Sequence, residues 1–295
     1  MESDTNIPPL IVIVGSTGSG KSSLAIDLAK RFSGEVICAD SRTIYKGMDI
    51  GTAKPTLAER RQVPHHLLDV STPDHPLTVA DFKVLAESSV KDIVARGKVP
   101  FLVGGTGLYI DAVVYGFSFR GVADEALRAE LEELSVEDLQ SRLAQAGLKL
   151  PHNAKNKRHL VRQIEAQGRF IENRQLRQST LIIGIEVGRE LLEKRVVARL
   201  DRMFADGLQN EVRNLFAQYG QECRALQTIG YQEFEPYFRG ETSVLEVKQA
   251  IARHTVQYAK RQKTWFKRNK YVHYIRELDE SVDLITTFLN KKAAP

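Results

Sequence analysis

An apolar run followed at once by a glycine-rich loop constrains the fold of this chain more than any other feature. The run LIVIV at 10–14 leads into GSTGSGKS, which comprises Gly15, Ser16, Thr17, Gly18, Ser19, Gly20, Lys21 and Ser22 and fits the pattern GxxxxGK[ST]. An amphipathic stretch at 22–32 then predicts a helix. In such a unit the loop amides and the helix N-terminus bind phosphate oxygens, the lysine adds a positive charge, and the serine can bind Mg²⁺. The sequence therefore predicts a polyphosphate site and leaves the polyphosphate open.

Further short apolar runs alternate with helical patterns along the chain. Strands are predicted at 10–14, 35–40, 99–105 and 181–187, and helices at 22–32, 79–95, 189–206, 208–219 and 244–268. This alternation is typical of an α/β fold in which a parallel sheet is flanked by helices.

Strand patterns are missing between Arg120 and Ser179. Three helical patterns take their place, at 124–134, 136–147 and 156–170. We therefore predict an all-helical insertion at 121–179 within a core formed by 1–120 and 180–295.

The composition is that of an ordinary globular protein, with 42% hydrophobic and 27% charged residues in 295. No apolar run approaches the roughly 20 residues of a membrane-spanning helix, and MESDTNIPPL lacks the basic and apolar regions of a secretory signal. Cys38 and Cys223 are far apart, and there is no metal-binding cluster of Cys and His. We expect a cytoplasmic protein with reduced thiols and no membrane attachment.

Positive charge is concentrated in two stretches, although the net charge is only +5. Residues 247–276 carry nine Lys or Arg and no acid, and residues 149–178 carry eight against two acids. Exposed helix faces usually alternate their signs, so this bias favours a polyanionic partner such as a nucleic acid. The aromatic residues in the first stretch could stack on bases, but packing in the core is the better interpretation for Trp265 and Phe266.

The ends of two predicted strands carry candidate site residues. Asp40 ends the second strand, where ligands of open α/β sheets bind, and could hold Mg²⁺, accept a proton, or serve only as a cap. The third strand ends in Gly104, Gly105 and Thr106, where many P-loop NTPases have a Mg²⁺-binding aspartate. This difference weakens a motor or signalling NTPase interpretation.

Other polar residues have less specific patterns. Arg199, Arg202 and Arg213 lie on an amphipathic segment, where an arginine could either remain on the surface or reach the phosphate site. The pair His65 and His66 has no carboxylate at metal-ligand spacing, so a structural role is favoured.

Several longer motifs together resemble the tRNA dimethylallyltransferase family, also called tRNA isopentenyltransferases. They cover most of the chain: GSTGSGKS, ADSRTIYKGMDIGTAKP (39–55), PHHLLD (64–69), ADF (80–82), VGGTGLY (103–109), RLDRMFADGLQNEV (199–212), IGYQE (229–233) and YAKRQKTWF (258–266). The resemblance implies a P-loop kinase-like core and transfer of a dimethylallyl group from dimethylallyl diphosphate, with Mg²⁺. The implied acceptor is N6 of the adenosine 3′ of the anticodon (position 37), in tRNAs that read codons starting with U.

The resemblance also implies roles for individual residues. Asp40 matches the general base, Thr17 a hydroxyl that contacts the diphosphate, and Arg199 an arginine that covers it, with Ser22 on Mg²⁺. Contacts with the tRNA anticodon stem-loop are implied for Asp40, Ser41, Arg42, Thr43, Thr106, Arg128, Arg158, His159, Leu160, Val161, Arg162, Gln227, Gly230, Tyr231, Arg261, Gln262, Trp265 and Arg268.

The chain departs from the family pattern at two places and leaves other functions to be weighed. His159 stands where an arginine is usual, and LQT stands at 226–228 where Met-Gly is frequent. The lack of a C-terminal Cys/His zinc module is typical of the bacterial type, and a monomer is expected. The alternatives are an adenylate isopentenyltransferase acting on free AMP, ADP or ATP, a P-loop small-molecule kinase, and a non-enzymatic RNA-binding NTPase switch.

Overall fold

The computed structural model describes residues 7–117, 125–165 and 175–293. It divides into two compact units, Met1–Gly116 with Leu176–Pro295, and Phe117–Gln175. The predicted insertion, 121–179, differs from this division at both ends. Residues 176–179 belong to the first unit because the Arg177 amide donates to the Val114 carbonyl at 2.7 Å and the Leu10 amide donates to the Ser179 carbonyl at 2.9 Å. Positions 121–124 and 166–174 of the predicted insertion lie outside the described residues.

A parallel sheet forms the centre of the first unit. Within the described ranges it has six strands: β1 (Leu10–Gly15), β2 (Gly34–Ala39), β3 (His65–His66), β4 (Val99–Gly104), β5 (Thr180–Ile185) and β6 (Val272–Ile275). Their order is β3-β2-β4-β1-β5-β6, and every neighbouring pair is parallel. The predicted α/β fold is confirmed, and the four predicted strands end within two residues of the observed ones.

Both faces of the central strands are buried, which explains why their sequences are apolar without alternation. In β1, Leu10, Val12 and Val14 belong to one hydrophobic cluster, whereas Ile11 and Ile13 belong to another on the opposite face. The sheet is therefore covered on both sides.

Before the insertion, the described part of the first unit contains the helices α1 (Lys21–Arg31), α2 (Leu57–Gln62), α3 (Val79–Ala95) and α4 (Gly107–Val114). Capping boxes begin α2 at Thr56 with Glu59 and α3 at Thr78 with Asp81, and each satisfies amides that the first helical turn leaves without partners.

The second unit consists of helices in its described part: α5 (Glu125–Glu133), α6 (Val136–Gln145) and α7 (Lys157–Glu165). They enclose a small core of Leu131, Leu139, Leu143, Leu160 and Val161. These helices correspond to the three predicted ones. Asp124 of the first predicted helix and 166–170 of the third lie outside the described residues.

The described residues after the insertion form α8 (Arg189–Ala205), α9 (Leu208–Tyr219), a 3-10 turn at Gln232–Phe234, α10 (Glu235–Phe238), α11 (Val244–Phe266) and α12 (Leu278–Ala293). Residues of α8, α9 and α11 pack in one core cluster with Ile44 and Met48 from the segment after β2. None of the helices in the described ranges has the length and apolarity needed to cross a membrane. The carboxyl ends of β1, β2 and β4 lie at one edge of the sheet, where the candidate site is found.

Candidate active site

The phosphate loop connects β1 to α1. Gly20 precedes the first helical residue with φ 92°, a conformation that L side chains avoid, so a glycine is required there. The Ser19 amide donates to the Ser16 carbonyl at 3.1 Å, and Lys21 Nζ donates to the same carbonyl at 3.4 Å. The loop is thus a compact turn at the N-terminus of a helix, the geometry that binds anions.

Two cations, Lys21 of the loop itself and Arg199 of α8, line the space at this loop. Burial lowers the pKa of Lys21 to about 8, while Asp40 acts to raise it and Arg199 to lower it. Burial also lowers the pKa of Arg199, which extends from α8 to the same space, and Asp40 again acts in the opposite direction. A bound anion would stabilise the charged forms of both side chains.

Asp40 directly follows β2 and is held by the turn around it. Its Oδ1 accepts a hydrogen bond from the Arg42 amide at 2.9 Å, and Thr106 Oγ1 accepts one from the Ser41 amide at 3.1 Å. The turn that carries Thr106 comes so close to β2 that a Cβ on Gly104 would lie 1.9 Å from the Ala39 carbonyl oxygen. A glycine is therefore required at position 104. The structure thus fixes Asp40 beside the end of β4.

Two adjoining cavities lie over these residues. The larger, about 310 Å³, and the smaller, about 80 Å³, share Thr17, Asp40, Thr52 and Arg199. Lys21 and Ser22 line the smaller one. The larger one has a mainly apolar wall formed by Val196, Leu200, Met203, Leu208, Ile229 and Ile251. A phosphate loop, an apolar surface and a carboxylate therefore meet in one space.

Two carboxylates fix the rim of the larger cavity. Glu211 accepts hydrogen bonds from the amides of Asp49, Ile50 and Gly51 and from the Tyr231 hydroxyl. Glu233 accepts from the Gly230 amide at 2.9 Å and pairs with His254 Nδ1 at 2.7 Å. The loop at 49–52 and the turn at 227–232 are thus anchored by acids that the sequence did not single out.

Tyr258 is a site residue that the sequence-based prediction missed. It lines the larger cavity, and Arg261 lies over its ring at 5.5 Å. Burial, followed by the charge of Asp40, raises its pKa, so the phenol stays neutral. The available signal was its spacing of four residues from Gln262, which brings both to one helix face.

The residues predicted to contact tRNA differ in how accessible they are. Ser41, Arg42, Gln227, Gly230 and Arg261 line the larger cavity with Asp40, and Arg158, His159 and Arg162 are exposed on α7. By contrast, the side chains of Tyr231, Gln262, Leu160 and Val161 are at most 5% exposed, and Thr43 is also buried. The first four of these side chains offer no surface for direct RNA contact, whereas Thr43 lines the smaller cavity with Lys21 and Ser22.

The other predicted contact residues are engaged within the protein. Arg128 forms a bidentate pair with Glu165 at 2.8 Å for both bonds. Trp265 is partly buried, donates to Asp111 at 3.1 Å, and carries Arg268 over its ring at 4.4 Å.

Charges in the acid-free stretch are also partly compensated. Lys263 and Lys267 both pair with Glu186 from outside it.

The two histidines are held by hydrogen bonds at the edge of the sheet, and His65 also lines the smaller cavity. They form β3, where His65 Nδ1 lies 2.7 Å from the Val63 carbonyl and His66 Nε2 lies 2.6 Å from Glu35. Within the described ranges, no group of three or more His, Cys, Asp or Glu is arranged to hold a metal ion.

The strand–loop–helix unit on a parallel sheet defines a P-loop enzyme of the kinase-like type. An apolar wall lies beside its phosphate loop in the larger cavity. A family model described as IPP transferase matches residues 43–269, and one described as isopentenyl transferase matches residues 8–73. The chain belongs to the IPP transferase family of prenyltransferases.

Named relatives agree with this assignment. A tRNA dimethylallyltransferase of Staphylococcus haemolyticus is 39% identical, with 99% of this chain and 95% of that protein covered. One of Lactococcus lactis is 40% identical, with 95% and 98% covered.

Solved structures of this family have the same fold. A tRNA isopentenylpyrophosphate transferase from Bacillus halodurans superposes with a TM-score of 0.73, 36% identity and 96% of each chain covered. A eukaryotic dimethylallyltransferase acting on tRNA gives a TM-score of 0.79 at 27% identity, with 91% of this chain and 74% of that chain covered.

Proposed function

We propose that the protein transfers a dimethylallyl group from dimethylallyl diphosphate to N6 of the adenosine 3′ of the anticodon, in tRNAs that read codons starting with U, and releases diphosphate. The observation that carries this proposal is the pair of adjoining cavities, in which the phosphate loop, an apolar wall and Asp40 face one another. Family membership and the names of the relatives support the same reaction.

The donor fits this space by its chemistry. Its diphosphate would occupy the loop, where Lys21 and Arg199 are half-buried cations and Thr17 lines both cavities. Its five-carbon chain would lie against the apolar wall, including Val196 and Leu200 of α8. Burial of that chain removes apolar surface from water and orients the allylic carbon.

In the reaction, the N6 lone pair attacks the allylic carbon while the carbon–oxygen bond breaks, and the electron pair of that bond leaves with the diphosphate. Lys21, Arg199 and the loop amides stabilise the charge that develops on the leaving oxygen. The proton of N6 passes to the Asp40 carboxylate. An aryl amine is a weak nucleophile because its lone pair is delocalised into the ring, so alignment contributes more than base strength.

Ser22 fits the Mg²⁺ ion that the resemblance implies. It lies in the first turn of α1 and lines the smaller cavity with Asp40. A serine hydroxyl and an aspartate carboxylate are hard oxygen donors of the kind that Mg²⁺ prefers. When bound beside a diphosphate, Mg²⁺ neutralises negative charge on the leaving group. Mg²⁺ usually retains several waters and binds through few protein ligands plus substrate phosphates, in keeping with a site that offers it Ser22.

The acceptor adenine must leave the anticodon-loop stack to reach Asp40. Arg42 and Arg261 line the larger cavity, and both belong to exposed or half-exposed segments that can contact phosphates. The exposed cations of α7, Arg158 and Arg162, provide a further basic surface within the second unit. A tRNA is favoured over free AMP because AMP offers no backbone for these cations.

The proposal is tested with purified protein, Mg²⁺, dimethylallyl diphosphate and an unmodified tRNA that has adenosines at positions 36 and 37. Mass spectrometry of the digested tRNA should find one adenosine heavier by C₅H₈. Equal modification of AMP and tRNA would identify an adenylate isopentenyltransferase instead, and transfer of phosphate to a small molecule would identify a kinase.

Asp40→Asn examines the proton acceptor separately. The amide keeps the shape of the side chain but cannot take the N6 proton, so kcat should fall about 100-fold or more. The Kd of tRNA, measured by filter binding, should stay within about twofold of the wild-type value because the loss concerns one proton transfer. Near wild-type turnover would assign the base to another group.

A further inference from the structure

A single buried carboxamide joins the phosphate loop to the turn after β4. Gln262, on α11, is 5% exposed. Its Oε1 accepts a hydrogen bond from the Thr17 amide at 2.8 Å, and its Nε2 donates to the Gly105 carbonyl at 2.9 Å. The two partners are an N–H and a C=O, so only a side chain that both accepts and donates serves both.

Each partner leads to a different half of the reaction. Thr17 belongs to the phosphate loop, which faces the donor. Gly105 precedes Thr106, whose Oγ1 accepts from the amide of Ser41, the neighbour of Asp40. The hydrogen bonds of Gln262 therefore form a continuous path from the diphosphate side to the acceptor carboxylate.

The packing around this carboxamide leaves little room for an alternative. A Cβ on Gly105 would lie 2.3 Å from Gln262 Nε2, so the close approach requires a glycine at that position. Tyr258, one helical turn before Gln262 on α11, lines the larger cavity on this side. Both hydrogen bonds of the Gln262 carboxamide are thus made between close-packed groups of the protein.

We propose that Gln262 is a positioning residue that sets the distance between the phosphate loop and Asp40, and that it does not bind tRNA. The inference rests on the proposed function, in which these two elements hold the two reactants. A shift of about 1 Å between reacting groups can reduce the rate about 100-fold. The Thr17 amide is held by Gln262, which restricts the conformations open to the phosphate loop.

Gln262→Met is the direct test, because methionine has similar length and makes neither hydrogen bond. Gln257→Met, an exposed position on the same helix, is the matched control. For Gln262→Met we expect kcat to fall about 100-fold and the Kd of inorganic diphosphate, measured by calorimetry, to rise about tenfold as the loop loses its anchor. The Kd of tRNA without donor should stay within about twofold of wild type, and the control should match wild type in all three measurements.

Gln262→Glu covers the case in which the methionine variant fails to fold. Its carboxylate still accepts from Thr17 but cannot donate to Gly105, so turnover should fall while tRNA binding persists. A tRNA Kd raised tenfold or more with kcat and diphosphate affinity unchanged in either variant would overturn the inference and make Gln262 an RNA ligand.

Failure of the proposed function gives a different result. Wild-type protein that leaves tRNA unmodified would refute the reaction, and the diphosphate affinity of the variants would then decide the role of Gln262. Unchanged diphosphate affinity in both variants would contradict it.

Discussion

Glu211 provides the sharpest test of how the rim of the cavity is held. Its Oε2 accepts from the amides of Asp49 at 3.1 Å and Ile50 at 2.7 Å, and its Oε1 accepts from Gly51 at 3.0 Å and from the Tyr231 hydroxyl at 2.7 Å. In Glu211→Gln, an NH₂ group that replaces Oε1 cannot accept from the Gly51 amide, although the Tyr231 hydroxyl can turn and accept from it. One hydrogen bond is therefore lost, and the remaining ones no longer involve a charged group.

The size of the effect follows from the type of bond. A hydrogen bond to a charged acceptor contributes about 1.5–3 kcal/mol, and the partial exposure of this site places each near the lower end. The lost bond costs about 1.5 kcal/mol and the three weakened bonds about 0.5 kcal/mol each, so Glu211→Gln costs about 3 kcal/mol, and Tyr231→Phe, which loses one bond, costs about half of that. At 1.4 kcal/mol per tenfold, local opening should become on the order of 100-fold more frequent in Glu211→Gln and about tenfold in Tyr231→Phe.

Hydrogen exchange followed by mass spectrometry measures this opening directly. The amides of the peptide covering 49–51 should exchange faster by these factors, whereas those of β1 should not change. Glu222→Gln, which alters an exposed carboxylate beyond the end of α9, is the control. Exchange at the wild-type rate in a folded Glu211→Gln protein would show that the loop is held by other contacts.

Two further substitutions test other parts of the structure. Burial acts to raise the pKa of Glu35, but hydrogen bonds from His66 and Arg96 outweigh it and lower that pKa below its usual 4.5. This carboxylate therefore stabilises the fold above pH 4.5 and loses its contribution as pH falls through the lowered pKa. Glu35→Gln should reduce the urea midpoint at pH 7 by an amount that shrinks at lower pH, and a difference independent of pH would contradict this. Leu160→Ala removes a fully buried side chain from the five-residue core of the second unit and should destabilise that unit by about 2–5 kcal/mol, which would appear as faster exchange of the α5–α7 amides; equal protection in both proteins would show that the cluster contributes little.

Local patterns were sufficient for most of the fold. The phosphate loop, the four central strands and helices such as α3 and α9 depend on residues close in sequence, so periodicity and motif identified them. The two edge strands were missed for specific reasons. β3 has only two residues, and β6 reads VHYI, a four-residue run that contains a histidine and lies against one neighbour only.

The candidate site was predicted less completely than the fold. Motifs identified Asp40, Lys21 and Arg199, but they do not reveal which side of a helix or turn faces inward. Tyr231 and Gln262 lie in motifs that resemble tRNA-contact segments, yet both side chains are buried. Their partners, Glu211 and Thr17, are 20 and 245 residues away, and no local pattern specifies contacts over such separations.

The hydrogen bond between Arg177 and Val114 bears on how freely the inserted segment can vary. The polypeptide leaves the first unit after Gly116 and returns to it at Leu176, and the Arg177 amide donates to the Val114 carbonyl at 2.7 Å. When the two ends of an inserted segment meet, the insertion costs the first unit only the entropy of closing a loop, and this cost grows slowly with the length of the loop. The inserted segment, whose described residues form α5, α6 and α7, is thus a module that can lengthen, shorten or change its sequence at this junction while the sheet keeps its register.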